Sequence, residues 1–360
     1  MFGLFRRRRS RQDGEEPAAP SPAEPPAPGR APLPEGTDGP PEAWAAALGI
    51  PVEALEPAVP ELDADERLTA SAVLAHFVVH KPGPASFPSI ALRILELVRR
   101  PDVEIGELAA LIEQDVAVSA GLLVLANSPV FRGMAQTQTV RDAVARLGLA
   151  EVARIAAALS TRSLFRAEVR AEFEVFAPTW NRLFYHSTTV ARAASELARL
   201  RKLPADPDQV FLAGMLHDVG KSIALRSLAA LVLEGRAAVR DPGSIDRILH
   251  HVHVQVGADV HREWGLPGHL VLVASRHHDL PAPSGPEATE LHLVRLVSAL
   301  LLLRGGGGVH PAAGAEGVES AMALGLGPAR VEALCRTLDE TGEWVRMLFG
   351  EERGGPSAAR

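Results

Sequence analysis

Histidine is unevenly distributed along this 360-residue chain, and most of its 13 histidines lie between residues 185 and 278. Within this stretch His217 and Asp218 are adjacent at the end of an apolar segment, and Lys221 follows about one helical turn later. Imidazole nitrogen and carboxylate oxygen together suit Zn, Fe, Mn or Ni, the ligand mixture of a hydrolytic metal centre. The ammonium group of Lys221 would then hold a phosphate. The spacing therefore indicates a metal-dependent site for a phosphorylated compound.

Helices are predicted to position these residues. From residue 88 onward the apolar residues recur with a helical period, and alternating strand patterns bounded by turns are essentially absent. An aromatic content of only 4% suits a core of Leu, Val and Ala packed helix on helix. The main predicted helices are Val116–Ala126, Val140–Leu147, Val152–Phe165, Phe176–Leu200, Gln209–Leu225, Ile245–Trp264, His269–His278, Thr289–Leu303 and Ala329–Phe349. We therefore predict an all-α fold.

The N-terminal segment has a different composition. From about Ser10 to Pro41 it is rich in Pro, Ala, Gly and Glu, so it cannot bury enough apolar surface to offset the entropy of ordering. We predict the following organisation: a disordered leader with a basic start over 1–60, a short helical lead-in over 61–83, C-terminal helices over 306–350 and a disordered tail over 351–360. The glycine run at 305–308 is predicted to be a flexible link.

Composition also limits the location and the partners. The uncharged apolar stretch Leu296–Leu303 is far shorter than the ~20 residues that cross a bilayer. The basic residues Arg6–Arg9 follow a short apolar patch, which reverses the order of a secretory signal, and the single cysteine permits no intramolecular disulfide. We expect a cytoplasmic protein. Its net charge of −7 gives no general attraction for nucleic acid, whereas Arg6–Arg9 could contact an anionic membrane surface.

The sequence His217-Asp-Val-Gly-Lys221 resembles the signature of the HD superfamily of metal-dependent phosphohydrolases. Further pieces are similar, in the same order, to the HD-GYP phosphodiesterase branch: a helix with His186, then His253 before Gly257, then the pair His277 and His278. The resemblance implies a divalent metal, Fe, Mn, Zn or Ni, held by His186, His217, Asp218, His253, His277 and His278. It also implies that Lys221 contacts phosphate.

The chain departs from that pattern at two places. No Gly-Tyr-Pro element follows His278, and Ser298 stands where the last helix of the fold ordinarily supplies an aspartate ligand. Because a neutral hydroxyl is a poor replacement for a charged ligand, the pocket is either a weakened metal site or a hydrogen-bonded network without metal. The resemblance does not extend to His250, His251, His261 and His269, which are expected to be surface or core imidazoles.

The region before this pocket resembles the opening helices of the HD-related output domain (HDOD) family. The segments that carry the resemblance are Phe87–Ile90, Glu107–Asp115, Leu122–Ser128, Ala143–Gly148 and Trp264–Pro267. The resemblance implies a two-lobed helical bundle in which an N-terminal helical lobe over 84–175 packs on an HD-like lobe over 176–305, together forming an HDOD domain over 84–305.

Three functional hypotheses remain open. In the first, the chain is a bacterial signal-transduction protein, non-catalytic or weakly catalytic, that binds a signalling protein partner or a small phosphorylated ligand. In the second, it is a metal-dependent phosphohydrolase or nucleotide phosphodiesterase. In the third, Glu107–Ser128 is a helix-turn-helix that reads DNA. Since Val116–Ala126 carries no Arg, Lys, Asn or Gln to reach a base edge or a phosphate, a packing role for this segment is favoured and no specific nucleic acid is expected.

Overall fold

The computed structural model describes residues 39–58, 61–84, 87–131, 136–166, 169–305 and 310–350. The regular structure within these ranges is helical and includes no strand, which confirms the predicted all-α class. None of the helices described is both long and apolar enough to span a membrane. The predicted leader up to residue 38, including Arg6–Arg9, and the tail from residue 351 lie outside the described residues.

The first part of the chain forms seven helices among the residues described. They are α1 (Pro41–Leu48), α2 (Ala64–His80), α3 (Ile90–Val98), α4 (Ile105–Ile112), α5 (Val116–Ala126), α6 (Val140–Leu147) and α7 (Leu149–Thr161). The last of these lies at the centre of the N-terminal lobe, where α3, α5 and α6 pack against it. Its alanines Ala153, Ala156 and Ala157 are fully buried, and their small side chains let the neighbouring helices approach closely.

The second part of the chain continues with longer helices. They are α8 (Arg170–Val175), α9 (Ala177–Arg201), α10 (Pro207–Leu216), α11 (Val219–Leu233), α12 (Pro242–Glu263), α13 (Gly268–Arg276), α14 (Thr289–Leu303), α15 (Ala313–Ala323) and α16 (Pro328–Phe349). Helices α9 to α14 form the HD-like lobe, with α9 packed on both α10 and α14 and α11 packed on α12. The lead-in helix α2 packs on α11 and α12, and α16 packs on α9.

Helix α5 packs into the N-terminal lobe rather than standing out as a recognition helix. Its residues Val118, Leu122 and Leu125 are buried, and the helix lies against α6 and α7. The Asp115 side chain accepts hydrogen bonds from the backbone N–H groups of Ala117 and Val118, which satisfies two of the free donors at the helix start. These contacts account for α5 as a structural element.

Two predicted boundaries need correction, and one helix had no predicted bounds. The leader was predicted to extend to residue 60, but Trp44 and Leu48 are buried where α1 packs against α16, and Leu55 is buried in the turn that follows α1 and packs on α15. The helix predicted over Gln209–Leu225 is two helices, since the chain turns at His217 and Asp218. Helix α15 lies within 306–350, where C-terminal helices were predicted without separate bounds, because its sequence of small residues has little apolar periodicity; it packs on α14 by small-residue contact.

Candidate metal centre

Five helices bring the predicted ligands together. His186 lies within α9, His217 and Asp218 form the turn between α10 and α11, and His253 lies within α12. The pair His277 and His278 directly follows the last residue of α13, and Lys221 lies in the first turn of α11. The structure thus places all seven predicted residues in one cluster. Apart from His278, which is partly buried, each has at most 8% of its surface exposed.

Two glycines make this convergence sterically allowed. A Cβ atom at Gly214 would lie 2.5 Å from the Cα of Ala191, so α10 contacts α9 backbone to backbone near His186. A Cβ atom at Gly220 would lie 2.0 Å from the carbonyl oxygen of His253, so α11 contacts α12 at the same close range. The glycine of the His-Asp-x-Gly-Lys sequence therefore sets the distance between Asp218 and His253.

Asp218 is the centre of the cluster. Its Oδ2 lies 3.4 Å from Nε2 of His217 and 3.7 Å from Nε2 of His186. Its Oδ1 lies 3.4 Å from Nε2 of His253 and 3.5 Å from Nε2 of His277. The carboxylate therefore faces two groups of imidazoles, one on each oxygen, and each group together with Asp218 has the spacing of a metal-ligand set.

The backbone fixes the tautomers of three of these histidines. Nδ1 of His217 lies 2.8 Å from the carbonyl oxygen of Gly214, and Nδ1 of His253 lies 2.8 Å from that of His250. Nδ1 of His277 lies 2.9 Å from the carbonyl oxygen of Val273. Because a carbonyl oxygen only accepts, each Nδ1 donates, and each neutral ring keeps a lone pair on Nε2. This is the arrangement that metal-binding histidines usually have.

The resulting lone pairs face one another. Nε2 of His253 and Nε2 of His277 are 3.3 Å apart, and Nε2 of His217 is buried without a hydrogen-bond partner among the described residues. Neutral acceptors at this distance repel one another, and a cation between them would remove the repulsion. The donor set therefore fits a divalent metal.

Protonation is disfavoured at these imidazoles. Burial lowers the pKa of His217 to about 3, and burial together with the Lys221 ammonium lowers the pKa of His253 well below its usual value. Burial alone would raise the pKa of Asp218, but Lys221 and the surrounding imidazoles outweigh it and lower this pKa. Neutral imidazole and ionised carboxylate are the forms that bind metal.

Lys221 and Ser298 limit what the cluster can do. Nζ of Lys221 lies 2.6 Å from Oδ2 of Asp218, so its ammonium group neutralises the central carboxylate. Oγ of Ser298, on α14, lies 3.1 Å from Nε2 of His186, which puts this hydroxyl at the edge of the His186, His217 and Asp218 set. The position that the resemblance assigns to an aspartate thus faces the cluster but carries no charge.

Sequence reasoning missed residues next to this cluster. Nδ1 of His278 lies 2.9 Å from Oε1 of Glu316, and His310 contacts the same carboxylate at 2.8 Å. His250, expected to be an ordinary surface or core residue, has its ring centroid 5.0 Å from that of His278. Neither His310 nor Glu316 belongs to a recognisable motif, and no separate bounds were predicted for the helix that carries Glu316. The only sequence signal for His310 is that the chain is rich in histidine.

Solved structures share this fold. An HDOD domain protein of unknown function from Geobacter sulfurreducens is 26% identical with a TM-score of 0.57, covering 79% of this chain and 99% of that one. A candidate metal-dependent phosphohydrolase from Shewanella amazonensis SB2B is 21% identical with a TM-score of 0.53, covering 78% of this chain and all of that one. At the identity of the second structure, the likeness shows the fold alone.

Sequence comparison gives a more direct assignment. An uncharacterized protein of Treponema pallidum (strain Nichols) is 26% identical over 202 residues, which are 54% of this chain but only 37% of that protein. The chain thus spans little more than a third of that relative's length. The family model for the HDOD domain matches residues 85–280, which include most of the N-terminal lobe and the cluster up to His278. The match covers more than half of the sequence, and the chain belongs to the HDOD family.

Proposed function

We propose that this chain is a regulatory protein of bacterial signal transduction that acts through its HDOD domain by binding a protein partner or a small phosphorylated ligand. In this proposal the pocket around Asp218 holds a divalent metal but turns over substrate weakly or not at all. Membership of the HDOD family supports the regulatory role. The donor geometry supports the metal.

Burial of the pocket is the observation that carries the proposal. His217 is 2% exposed, and Asp218, His253 and His277 are each 1% exposed. Substrate sites are clefts or cavities of about 300–1,000 Å³ into which polar groups project. A phosphate ester would reach these atoms only if the surrounding helices separated. A closed pocket of this kind suits a structural or regulatory metal better than a turnover site.

The charges of the pocket support the same conclusion. Lys221, the residue expected to contact phosphate, is already paired with Asp218, and Ser298 supplies no second carboxylate. A catalytic metal needs ligands that hold it firmly and an open position for water or substrate. The enzyme alternative therefore requires both a rearranged Lys221 and an opened pocket.

A groove between the two lobes is a more accessible place for a small phosphorylated ligand. It has a volume of about 540 Å³, and its lining includes Arg162, Arg166 and Phe173. The guanidinium of Arg166 lies 5.8 Å from the centre of the Phe173 ring. Guanidinium groups suit phosphate oxygens, and an aromatic face suits a planar base. A ligand here would contact α5 and α7 of one lobe and α9 of the other.

Hydrolysis assays separate the regulatory proposal from the enzyme alternative. The protein, loaded in turn with Mn²⁺, Fe²⁺ and Zn²⁺, is assayed with cyclic dinucleotides and with a generic phosphodiester, alongside His217→Ala and the control His251→Ala. His251 is exposed on the same helix as His253, so its replacement leaves the pocket intact. We expect all three proteins to hydrolyse these substrates at or close to the background rate. Efficient turnover of one substrate in the wild type and His251→Ala that disappears in His217→Ala would make the protein an enzyme.

A further inference from the structure

A second cluster of metal-binding side chains lies beside the Asp218 pocket, where α15 meets the HD-like lobe. Glu316, in the first turn of α15, places Oε1 2.9 Å from Nδ1 of His278 and Oε2 2.8 Å from Nε2 of His310. One ligand atom from each of these three residues lies within 4.8 Å of the others. Two donors on a zinc ion with bonds of about 2.0–2.1 Å are roughly 3.3 Å apart, so small shifts would seat the ion among them.

The cluster is buried and incompletely satisfied. The side chain of His310 is 3% exposed and that of Glu316 is 2% exposed. Both ring nitrogens of His310, and Nε2 of His278, have no hydrogen bond of acceptable geometry among the described residues. Burial would raise the pKa of Glu316, but its contact with His310 and the nearby Arg295 outweigh burial and lower it. A buried carboxylate beside unpaired imidazoles is the kind of site that a cation stabilises.

His250 lies against the same cluster as a further imidazole. Its ring centroid is 4.4 Å from that of His310 and 5.0 Å from that of His278. A small cavity of about 10 Å³ is lined in part by His250, His310 and Lys221. His250 and His310 thus share an internal space that also reaches the Lys221 side chain.

We propose that Glu316, His310 and Nδ1 of His278, beside the imidazole of His250, form a second metal site that is separate from the Asp218 pocket and takes Zn²⁺. Two imidazoles and one carboxylate are a zinc ligand set. His186, His217, Asp218, His253 and His277 remain for the first pocket. His310 and Glu316 lie beyond residue 280, where the HDOD match ends, so the second site joins the C-terminal helices to the domain.

Zinc stoichiometry tests the second site. The full chain is equilibrated with ZnCl₂, desalted and analysed for bound zinc together with His310→Ala, Glu316→Gln, His217→Ala and the control His251→Ala. We expect His310→Ala and Glu316→Gln each to bind one zinc ion fewer than the wild type and His251→Ala. The double variant His217→Ala/His310→Ala is expected to bind fewer ions than either single variant, because the two sites are separate.

Two results would overturn the second site. One is wild-type zinc content in His310→Ala. The other is a double variant that loses no more zinc than His217→Ala alone, which would mean that Glu316 only orients His278 for the first pocket. Circular dichroism checks folding, and His310 lies outside any helix, so its replacement by alanine disturbs no helical hydrogen bond. Zinc content tests the second site and the hydrolysis assay tests the proposed function, so either claim can fail without the other.

Discussion

At the scale of single residues, the cluster around Asp218 unites side chains that belong to a recognisable motif with side chains that do not. His217, Asp218 and His253 are recognisable from neighbouring residues, and the structure places each of the two histidines 3.4 Å from a carboxylate oxygen of Asp218. Glu316 lies well beyond them in the sequence and belongs to no motif. Its contact with His278 depends on how α15 packs on α14, which local sequence does not determine.

Replacing Ser298 is the most direct way to raise the metal affinity of the Asp218 pocket. In Ser298→Asp a carboxylate would stand about where Oγ now contacts His186, so we expect affinity for Mn²⁺ or Zn²⁺ to rise by about tenfold or more. Without metal the added buried charge is uncompensated, so the melting temperature should fall in chelator and recover when metal is added. Calorimetric titration measures the affinity.

Ser298→Ala is the matched control for this substitution. It removes the hydroxyl without adding charge, and we expect it to bind metal no more tightly than the wild type. Equal affinities in Ser298→Asp and Ser298→Ala would mean that position 298 does not face the metal.

His261 is expected to make stability depend on pH. This residue of α12 is fully buried, its Nδ1 donates to the carbonyl oxygen of Gly257, and burial lowers its pKa from 6.5 to about 4. The folded-state pKa lies below the unfolded value, so His261 supports folding fully above about pH 6.5. That support is lost as the pH falls towards 4, at about 1.4 kcal/mol per pH unit and about 3 kcal/mol in all.

Urea unfolding between pH 4 and 8 measures this contribution. His261→Gln should show a shallower fall in the free energy of unfolding below pH 6.5, whatever its stability at neutral pH. His251→Gln, an exposed position on the same helix, should keep the wild-type slope. An unchanged slope in His261→Gln would show that His261 titrates normally in the folded protein.

At the scale of helices, existence was easier to predict than boundaries. For α5, α6 and α14 the predicted first and last residues are the observed ones, because polar or turn-forming residues flank these apolar segments. The break between α10 and α11 lies inside an apolar run that has no proline and no polar interruption before His217. Tertiary packing fixes that turn: Gly214 of α10 packs closely on α9, and Gly220 of α11 packs closely on α12.

Gly220→Ala tests the close contact between α11 and α12. The added methyl group would lie 2.0 Å from the carbonyl oxygen of His253 and 2.6 Å from the backbone nitrogen of Gly257, so the helices must separate. We expect a loss of roughly 3 kcal/mol in the free energy of unfolding and weaker metal binding. Gly268→Ala, at the open start of α13, is the control and should be close to neutral. Wild-type stability in Gly220→Ala would contradict the observed contact.

At the scale of the whole molecule, the family and the two-lobed arrangement could be predicted, whereas the packing of α1 on α16 could not. Helices α1 and α16 pack on each other, and α16 also packs on α9 of the HD-like lobe. Such contacts join segments nearly three hundred residues apart, and no local pattern encodes them. The groove lined by Arg162 and Arg166 has walls from both lobes, so a ligand bound there would contact both.

Elemental analysis of protein purified without chelator tests most directly whether the closed pocket around Asp218 holds a cation. The wild type and His251→Ala are predicted to carry the same amount of divalent metal. His217→Ala is predicted to carry less, because it lacks the ion that the Asp218 pocket holds. Equal metal content in the wild type and His217→Ala, after growth and purification with Mn²⁺, Fe²⁺ or Zn²⁺ supplied, would contradict the metal-holding pocket.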